Sequence, residues 1–344
     1  MRRYIGVDLH KKSFTVCYRS KTGKVKVAEH EVREKDLEKF RKTLTKQDIV
    51  AVESTGNTGH FVRAIEDCVE SVKIVNPTQF KVIANSVKKT DKLDAGTIAE
   101  YLSKNLIPEV RMRSKEQSQT SSLIGTRDKL VKLRTALKNK IHNILNANGI
   151  ITKKEMFSSD KSLDKILELN LDQADLFELG LIVEHIHHLN KTIETINKEL
   201  EGRGKKMDGF KNLKSITGIS DTSATILLSV IGNIDDFETP DKLAAYFGLV
   251  PRVFATGDSV HYGRITKMGN KIGRTTVVQS TLIAIRYNDY LRNFYLRLKA
   301  KKGSGKAIIA TARKYLAIVH KTLKYDWIFE NFNEFQLAKG CLKT

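Results

Sequence analysis

The chain has 344 residues, of which 60 are Lys or Arg and 39 Asp or Glu, giving a formal net charge of +21, and 40% are hydrophobic. That length predicts two or three domains, and that apolar fraction is enough to build their cores, which excludes wholesale disorder. No apolar run approaches the about 18 residues of a membrane span, and MRRYIGVDLH runs straight into a strand-like segment. Cys17, Cys68 and Cys341 are isolated and odd in number, so a reducing, cytoplasmic compartment is expected, without disulfide framework or structural zinc.

In chain order, the first part, 1–110, reads as α/β. Tyr4–Asp8 and Phe14–Tyr18 are apolar and β-prone, Thr22-Gly23 makes a turn, and Val25–Val32 alternates in polarity. These predict a three-stranded meander. Helices are expected over Lys35–Leu44 and Gly59–Val69, and a buried strand over Ile49–Glu53. Val72–Val75 is another strand, stopped by Asn76-Pro77, and Thr78–Ser103 has a helical pattern. Three antiparallel strands followed by alternating helix and parallel strand is the element order of the RNase H-like fold.

The second part, 111–205, is helical. Leu130, Leu133, Leu137, Ile141 and Ile144 form one apolar stripe. Leu179, Ile182, Ile186, Leu189, Ile193, Ile196 and Leu200 recur at spacings of three and four, the seam of a coiled coil. The pattern fits a dimerisation or spacer arm and fits equally a two-helix hairpin closed on itself.

The third part, 206–344, is predicted helical. Ser215–Gly232 carries a Gly-bearing turn before a small-residue helix, half of a helix-hairpin-helix whose turn amides can face a phosphate. Between Arg252 and Lys324 stand sixteen Lys and Arg against two acids, Asp258 and Asp289, a net +14 in about a fifth of the chain. So lopsided a distribution favours a nucleic-acid partner over a generally basic surface. Trp327, Phe329, Phe332 and Phe335 read as a C-terminal helix packing on this part.

Four carboxylates of the first part carry the sharpest chemical signal. Asp8 ends an apolar strand in which Gly6 permits a close approach, and Glu53 ends IVAVE. Asp91 and Asp94 share one helix face at i, i+3 spacing. If the fold brings them together they repel one another unless a cation intervenes. Oxygen ligands suit Mg²⁺ or Mn²⁺, which activate a nucleophile and hold the leaving oxygen of a phosphodiester. Lys88 and Lys89, just before Asp91, are candidate phosphate contacts or a solvated helix face. His10, His60 and His261 are either proton shuttles or phosphate-contacting, packed imidazoles.

Gly248–Arg274 is rich in Gly, hydroxyls and cations, the composition of a loop that meets a phosphate backbone. Arg252, Arg264, Lys267, Lys271 and Arg274 are assigned to backbone contacts of DNA or RNA. Thr256 and Ser259 flank Gly257-Asp258, and either hydroxyl is a candidate nucleophile for phosphoryl transfer.

The segments IGVDLHKKS, VAVESTGNTG, VNPTQFK, KKTDKLDAGTIAEYL, LKSITGISDTSATILLSVIG, FETPDKLAAYFGLVPRVFATGDS and GRITKMGNKIGRT follow in this order along essentially the whole chain. Together they resemble the DEDD transposases of bacterial and archaeal insertion sequences (the IS one-ten family), which include the Piv-type DNA invertases. The resemblance implies a RuvC-like first domain that binds Mg²⁺ through Asp8, Glu53, Asp91 and Asp94. It implies a coiled-coil arm and a C-terminal transposase domain with a serine nucleophile in a Ser-Gly motif. It further implies a structured guide RNA that pairs with donor and target DNA, and a homo-oligomer, dimer or tetramer, whose active site is composite between protomers. Here the Ser-Gly position is Thr256-Gly257. Threonine keeps the hydroxyl but adds a β-methyl that restricts χ1. Thr256 is the favoured nucleophile; Ser259 in its place, or an impaired enzyme, are the alternatives.

The functional expectation is a site-specific DNA recombinase or transposase. Its rivals are a Holliday-junction-resolving nuclease that uses water and a non-catalytic DNA-binding protein derived from a transposase.

Overall fold

Alternation of side chains across β-strands decides how the N-terminal sheet is covered. A computed structural model of the chain describes residues 2–77, 79–80, 90–256 and 259–329, Lys154 without its side chain. These form two compact units, Met1–Lys115 and Glu116–Thr344.

In the first unit, β1 (Arg3–Leu9), β2 (Ser13–Ser20) and β3 (Val25–Glu31) form the expected antiparallel meander. β4 (Ile49–Glu53) pairs parallel to β1, β5 (Ser71–Val75) parallel to β4, and the short β6 (Glu109–Val110) antiparallel to β5. The sheet order is β3-β2-β1-β4-β5-β6. Ile5, Val7, Leu9, Phe14, Val16, Val50 and Val52 point to one face, under α1 (Glu34–Thr43) and α2 (Thr58–Ile65). Phe14 is central there, with its ring centroid 5.0 Å from Phe61 and 5.3 Å from Phe40. Cys17, Ala51 and Val75 point to the other face, against Ala95, Ile98, Ala99 and Leu102 of α3 (Asp91–Ser103). The result is a three-layer mixed α/β unit, consistent with the RNase H-like expectation.

Two boundaries differ from the sequence expectation. The helix predicted from Thr78 is interrupted at Thr90, which is extended (φ −144°) and whose hydroxyl accepts from the Leu93 amide, so α3 begins at Asp91. A hydroxyl at the N-cap competes well with helical continuation. Residues 78 and 81–89, including Lys88 and Lys89, lie outside the described residues. The helix expected to Val69 tightens into a 3₁₀ turn at Glu66–Cys68.

In the second unit, α4 (Lys115–Ala147) and α6 (Gln173–Gly204) are the long helices, separated by the short α5 (Asp160–Asp164). They run antiparallel against each other, because partners fall in number along α6 as they rise along α4: Arg127 with Asn197 (2.6 Å), Arg134 with Asn190 (2.8 Å) and Asn148 with Asp175 (2.7 Å). The seam Leu179, Ile182, Ile186, Leu189, Ile193 and Leu200 is buried within one chain, and Ile196 partly so. Of the stripe expected on α4, Leu130 and Leu137 are half-buried and Ile141 and Ile144 buried, while Leu133 is 50% exposed. Beside it a further buried or half-buried line runs Ile124, Arg127, Val131, Arg134, Lys138, Ile141, Leu145. This is a seam at spacings of three and four whose middle is cationic. Burial pushes the Arg127 guanidinium and Lys138 ammonium below their usual values, with Arg134 adding repulsion to each.

The rest of the unit packs α7 (Phe210–Ser215), α8 (Asp221–Ile231), α9 (Pro240–Tyr246), α10 (Lys271–Tyr287), α11 (Asp289–Lys302) and α12 (Ser304–Lys324) around one apolar core. The fully buried Tyr315 of α12 donates to the Thr217 carbonyl (2.7 Å). The turn between α7 and α8 places Gly218 against the α10 backbone at Ser280 and Ala284, a packing requirement for glycine. Trp327 and Phe329 are not helical. They follow α12 as an irregular strap whose Phe329 amide donates to Ser215 Oγ (2.7 Å). Phe332, Phe335 and Cys341 lie outside the described residues. Among the described residues no helix is long and apolar enough to cross a membrane.

Candidate active site

Asp8 and Glu53 reach one place because strands alternate. The parallel register of β1 and β4 ends at Val7 opposite Val52, so the next residue of each strand, Asp8 and Glu53, lies at the same sheet edge. Both share the parity of Gly6 and Ala51, on the face covered by α3. Gly6 sets the depth of that cover. A Cβ there would collide with the Ala95 carbonyl and the Ala99 amide. The missing side chain lets the α3 backbone press onto β1, bringing its first turn, with Asp91 and Asp94, towards Asp8.

Asp8 is 3% exposed, and its Oδ2 has no hydrogen-bond partner. Glu53 and Asp94 are half-buried and Asp91 exposed. Burial pushes the Asp8 carboxyl up to about 6; Asp91, Glu53 and Asp94 push in the same direction by repulsion, and His10 opposes them. Asp91 lies in ligand-atom range of Asp8, and Glu53 and Asp94 are near enough to act on it electrostatically. Clustered oxygen acceptors of this kind have the chemistry that suits a hard divalent cation.

His10 is the neighbour whose place the sequence did not fix. Its Nε2 is 3.3 Å from Asp8 Oδ2 and 3.3 Å from Asp91 Oδ2. Its backbone is held on both sides: its amide donates to the Ser13 carbonyl (2.9 Å), and its carbonyl accepts from Asn57 Nδ2 (2.9 Å). Thr58 fixes the same corner by donating to the Glu53 carbonyl (2.8 Å) and accepting from the Thr55 amide (2.8 Å). Asn57 and Thr58 were passed over in the sequence. The signal was there in STGNT, a hydroxyl-and-amide turn directly after the Glu53 strand. His60 is exposed in α2.

The segment around Thr256 is a two-stranded ribbon rather than a loop. β7 (Pro251–Thr256) pairs antiparallel with β8 (Ser259–Ile265). Thr256 stands opposite Ser259, whose Oγ donates to the Thr256 carbonyl (3.1 Å). Gly257 and Asp258, between them, lie outside the described residues. Both hydroxyl-bearing residues are exposed, as are Arg252, Arg264, His261, Phe254 (58%) and Tyr262 (72%). The base of the ribbon is pinned by Gly248 (φ +67°) and Gly269 (φ +97°), where a Cβ would strike the Met268 and Tyr246 carbonyls respectively. Lys267 and Lys271 are exposed beside it. Arg274 is half-buried and donates to the Phe247 carbonyl (3.1 Å), so this cation also ties α10 to the end of α9. The ribbon and the carboxylates belong to different units.

A mixed sheet in this order, with carboxylates at the ends of its adjacent parallel strands, is a mixed α/β unit consistent with the RNase H-like kind. The DEDD-type transposase model of IS110 elements matches residues 5–148, and the model of the transposase IS116/IS110/IS902 family matches residues 210–296. The transposase for insertion sequence element IS1111A of Coxiella burnetii is 26% identical over 324 residues, 92% of this chain and 88% of that protein. The transposase for insertion sequence element IS1328 of Yersinia enterocolitica is 28% identical over 286 residues, 83% of this chain and 85% of that protein. The pilin gene-inverting protein of Moraxella lacunata is 26% identical over 266 residues, 75% of this chain and 74% of that protein. The chain belongs to the DEDD-type transposases of insertion sequences, enzymes that cleave and rejoin DNA.

Proposed function

We propose that the chain is a site-specific recombinase that moves an insertion sequence between DNA sites, using divalent metal in its first unit and a hydroxyl nucleophile in its second. The observation that supports the reading is the buried Asp8 carboxylate, whose Oδ2 makes no hydrogen bond and which Asp91, Glu53 and Asp94 crowd electrostatically. These four residues would hold Mg²⁺ or Mn²⁺, which, when bound, supplies charge neutralisation at a phosphodiester and activation of the attacking oxygen.

Thr256 is the proposed nucleophile. Its Oγ1 forms a bond to phosphorus as the bond from phosphorus to the leaving strand oxygen breaks; the Thr256 proton is given up and the leaving oxygen takes one. Attack by the incoming strand's hydroxyl reverses both changes and frees Thr256. The exposed ribbon suits this role, with Arg252 and Arg264 for phosphates and Phe254 and Tyr262 for unpaired bases. Lys267, Lys271 and Arg274 extend the phosphate-gripping surface, and Arg274 holds the fold at the same time.

A structured guide RNA, its pairing with donor and target DNA, and a dimer or tetramer with a composite site rest on the family resemblance. A cytoplasmic location on nucleoid DNA rests on the isolated cysteines and the basic charge. The division into 1–110, a helical arm at 111–205 and a transposase domain at 206–344 rests on composition and periodicity, the arm setting the spacing between protomers. Strand cleavage by the full chain on DNA carrying the element's ends tests the reading. A metal-dependent covalent protein–DNA adduct whose peptide mass falls on Thr256 supports it. An adduct on Ser259 reassigns the nucleophile. Cleavage undiminished by joint substitution of Thr256 and Ser259 makes the protein a hydrolase. RNA sequenced from the purified protein is expected to be one discrete structured species; random cellular RNA would contradict guidance.

A further inference from the structure

We propose that His10 is a ligand of the same cation, so that the site is Asp8–His10–Asp91 with Glu53 and Asp94 alongside, and that this nitrogen biases it towards Mn²⁺ over Mg²⁺. The proposal rests on the reading of the carboxylates as a cation site.

Three observations carry it. One ligand atom each from Asp8, His10 and Asp91 lies within 4.8 Å of the others. The two separations from His10 Nε2 are equal, 3.3 Å to Asp8 Oδ2 and 3.3 Å to Asp91 Oδ2. A charge-assisted hydrogen bond to a carboxylate is about 2.7–2.9 Å, and Asp8 Oδ2 makes no hydrogen bond at all. Neighbouring ligands on a six-coordinate cation at about 2.1 Å stand about 3.0 Å apart. The spacing therefore fits adjacent vertices of a coordination sphere better than a direct His–Asp bond. Finally, His10 is held by its backbone through Ser13 and Asn57, so the imidazole is delivered to the edge between Asp8 and Asp91 by the corner that also carries Glu53.

The chemical consequence follows from ligand type. Mg²⁺ prefers an all-oxygen, largely hydrated sphere. Imidazole raises affinity along the divalent series, so the nitrogen helps Mn²⁺ more than Mg²⁺.

Electron paramagnetic resonance of the full chain titrated with Mn²⁺ alone tests this without reference to activity. Wild type is expected to show ¹⁴N modulation on the bound Mn²⁺, absent in His10→Gln and retained in His60→Gln. His10→Gln should weaken Mn²⁺ about tenfold and weaken Mg²⁺, measured by competition, by clearly less. Asp8→Asn separates the two levels of the argument. If Asp8→Asn removes the bound Mn²⁺ but wild type shows no ¹⁴N modulation, His10 is no ligand and the carboxylate reading stands. If Asp8→Asn leaves Mn²⁺ bound as before, the carboxylate reading itself is overturned. Equal weakening of both metals in His10→Gln contradicts the selectivity. Circular dichroism and thermal melting of each variant establish that it is folded.

Discussion

The two regions that bear reactive groups are built in opposite ways. The carboxylate cluster is assembled by a six-stranded sheet and a helix pressed onto it, and its key group is buried. The ribbon bearing Thr256 has two strands paired with each other, exposed residues along both, and a glycine-pinned base. A two-stranded hairpin has little stability of its own. The first region is preorganised and carries a cost in burying a carboxylate and, to a lesser degree, in crowding it with others. The second is a surface that a polyanion can cover and fix.

This contrast can be broken in four places. The largest effect is expected at Asp8. Asp8→Asn should lower strand cleavage on the order of 10³-fold or more, yet raise the stability of the metal-free protein. Its ionised form is disfavoured in the fold by about two pH units, on the order of 3 kcal/mol, and asparagine removes that charge. Cleavage assays and thermal melts measure the two effects. At Thr256, Thr256→Ala should abolish adduct formation without moving the melting temperature, because the residue is exposed. Thr256→Ser should keep activity or raise it by relieving the crowded χ1.

Gly6→Val, next in size, should cost about 1–3 kcal/mol by overpacking and, by lifting α3 from β1, weaken metal binding. A valine on the ribbon at Ala255 should do neither. The smallest effects belong to the exposed cations. Neutralising Arg252 or Arg264 should each lower the slope of log affinity against log salt by about 1 and leave melting unchanged.

The pH dependence has a defined sign. The folded value for Asp8, about 6, lies above the ordinary 3.8. For this group the metal-free fold is most favoured below about 3.8 and loses that advantage as pH rises to about 6. Metal binding runs the other way, because the cation displaces the proton. Its affinity should fall about tenfold per pH unit below 6.

Much of the first region was legible in the sequence for one reason. Period-two alternation in YIGVD and IVAVE assigns Gly6, Asp8, Ala51 and Glu53 to one face before any coordinates are known. What was not legible is where a turn aims its side chains. His10, two residues after Asp8, and Asn57, in the turn after Glu53, meet through a single hydrogen bond between distant segments. On the long helices the apolar stripes were legible apart from Leu133, but the part-burial of the cations beside them was not. Arg127, Arg134 and Lys138 are half-buried because asparagines on the opposing helix and the Phe157 carbonyl accept their hydrogen bonds. The ribbon read as a loop because both its faces are exposed, which erases the polar–apolar alternation that marks a half-buried strand.

The central claim is that Asp8 and its neighbours form a divalent-cation site under strain when empty. Thermal melting of wild type and Asp8→Asn at pH 7.5, with and without Mg²⁺, tests it most directly. The account predicts that the metal-free variant melts above metal-free wild type, and that Mg²⁺ raises wild type while leaving the variant unmoved. An equal Mg²⁺ shift in both proteins, or a variant that melts below metal-free wild type, would contradict it.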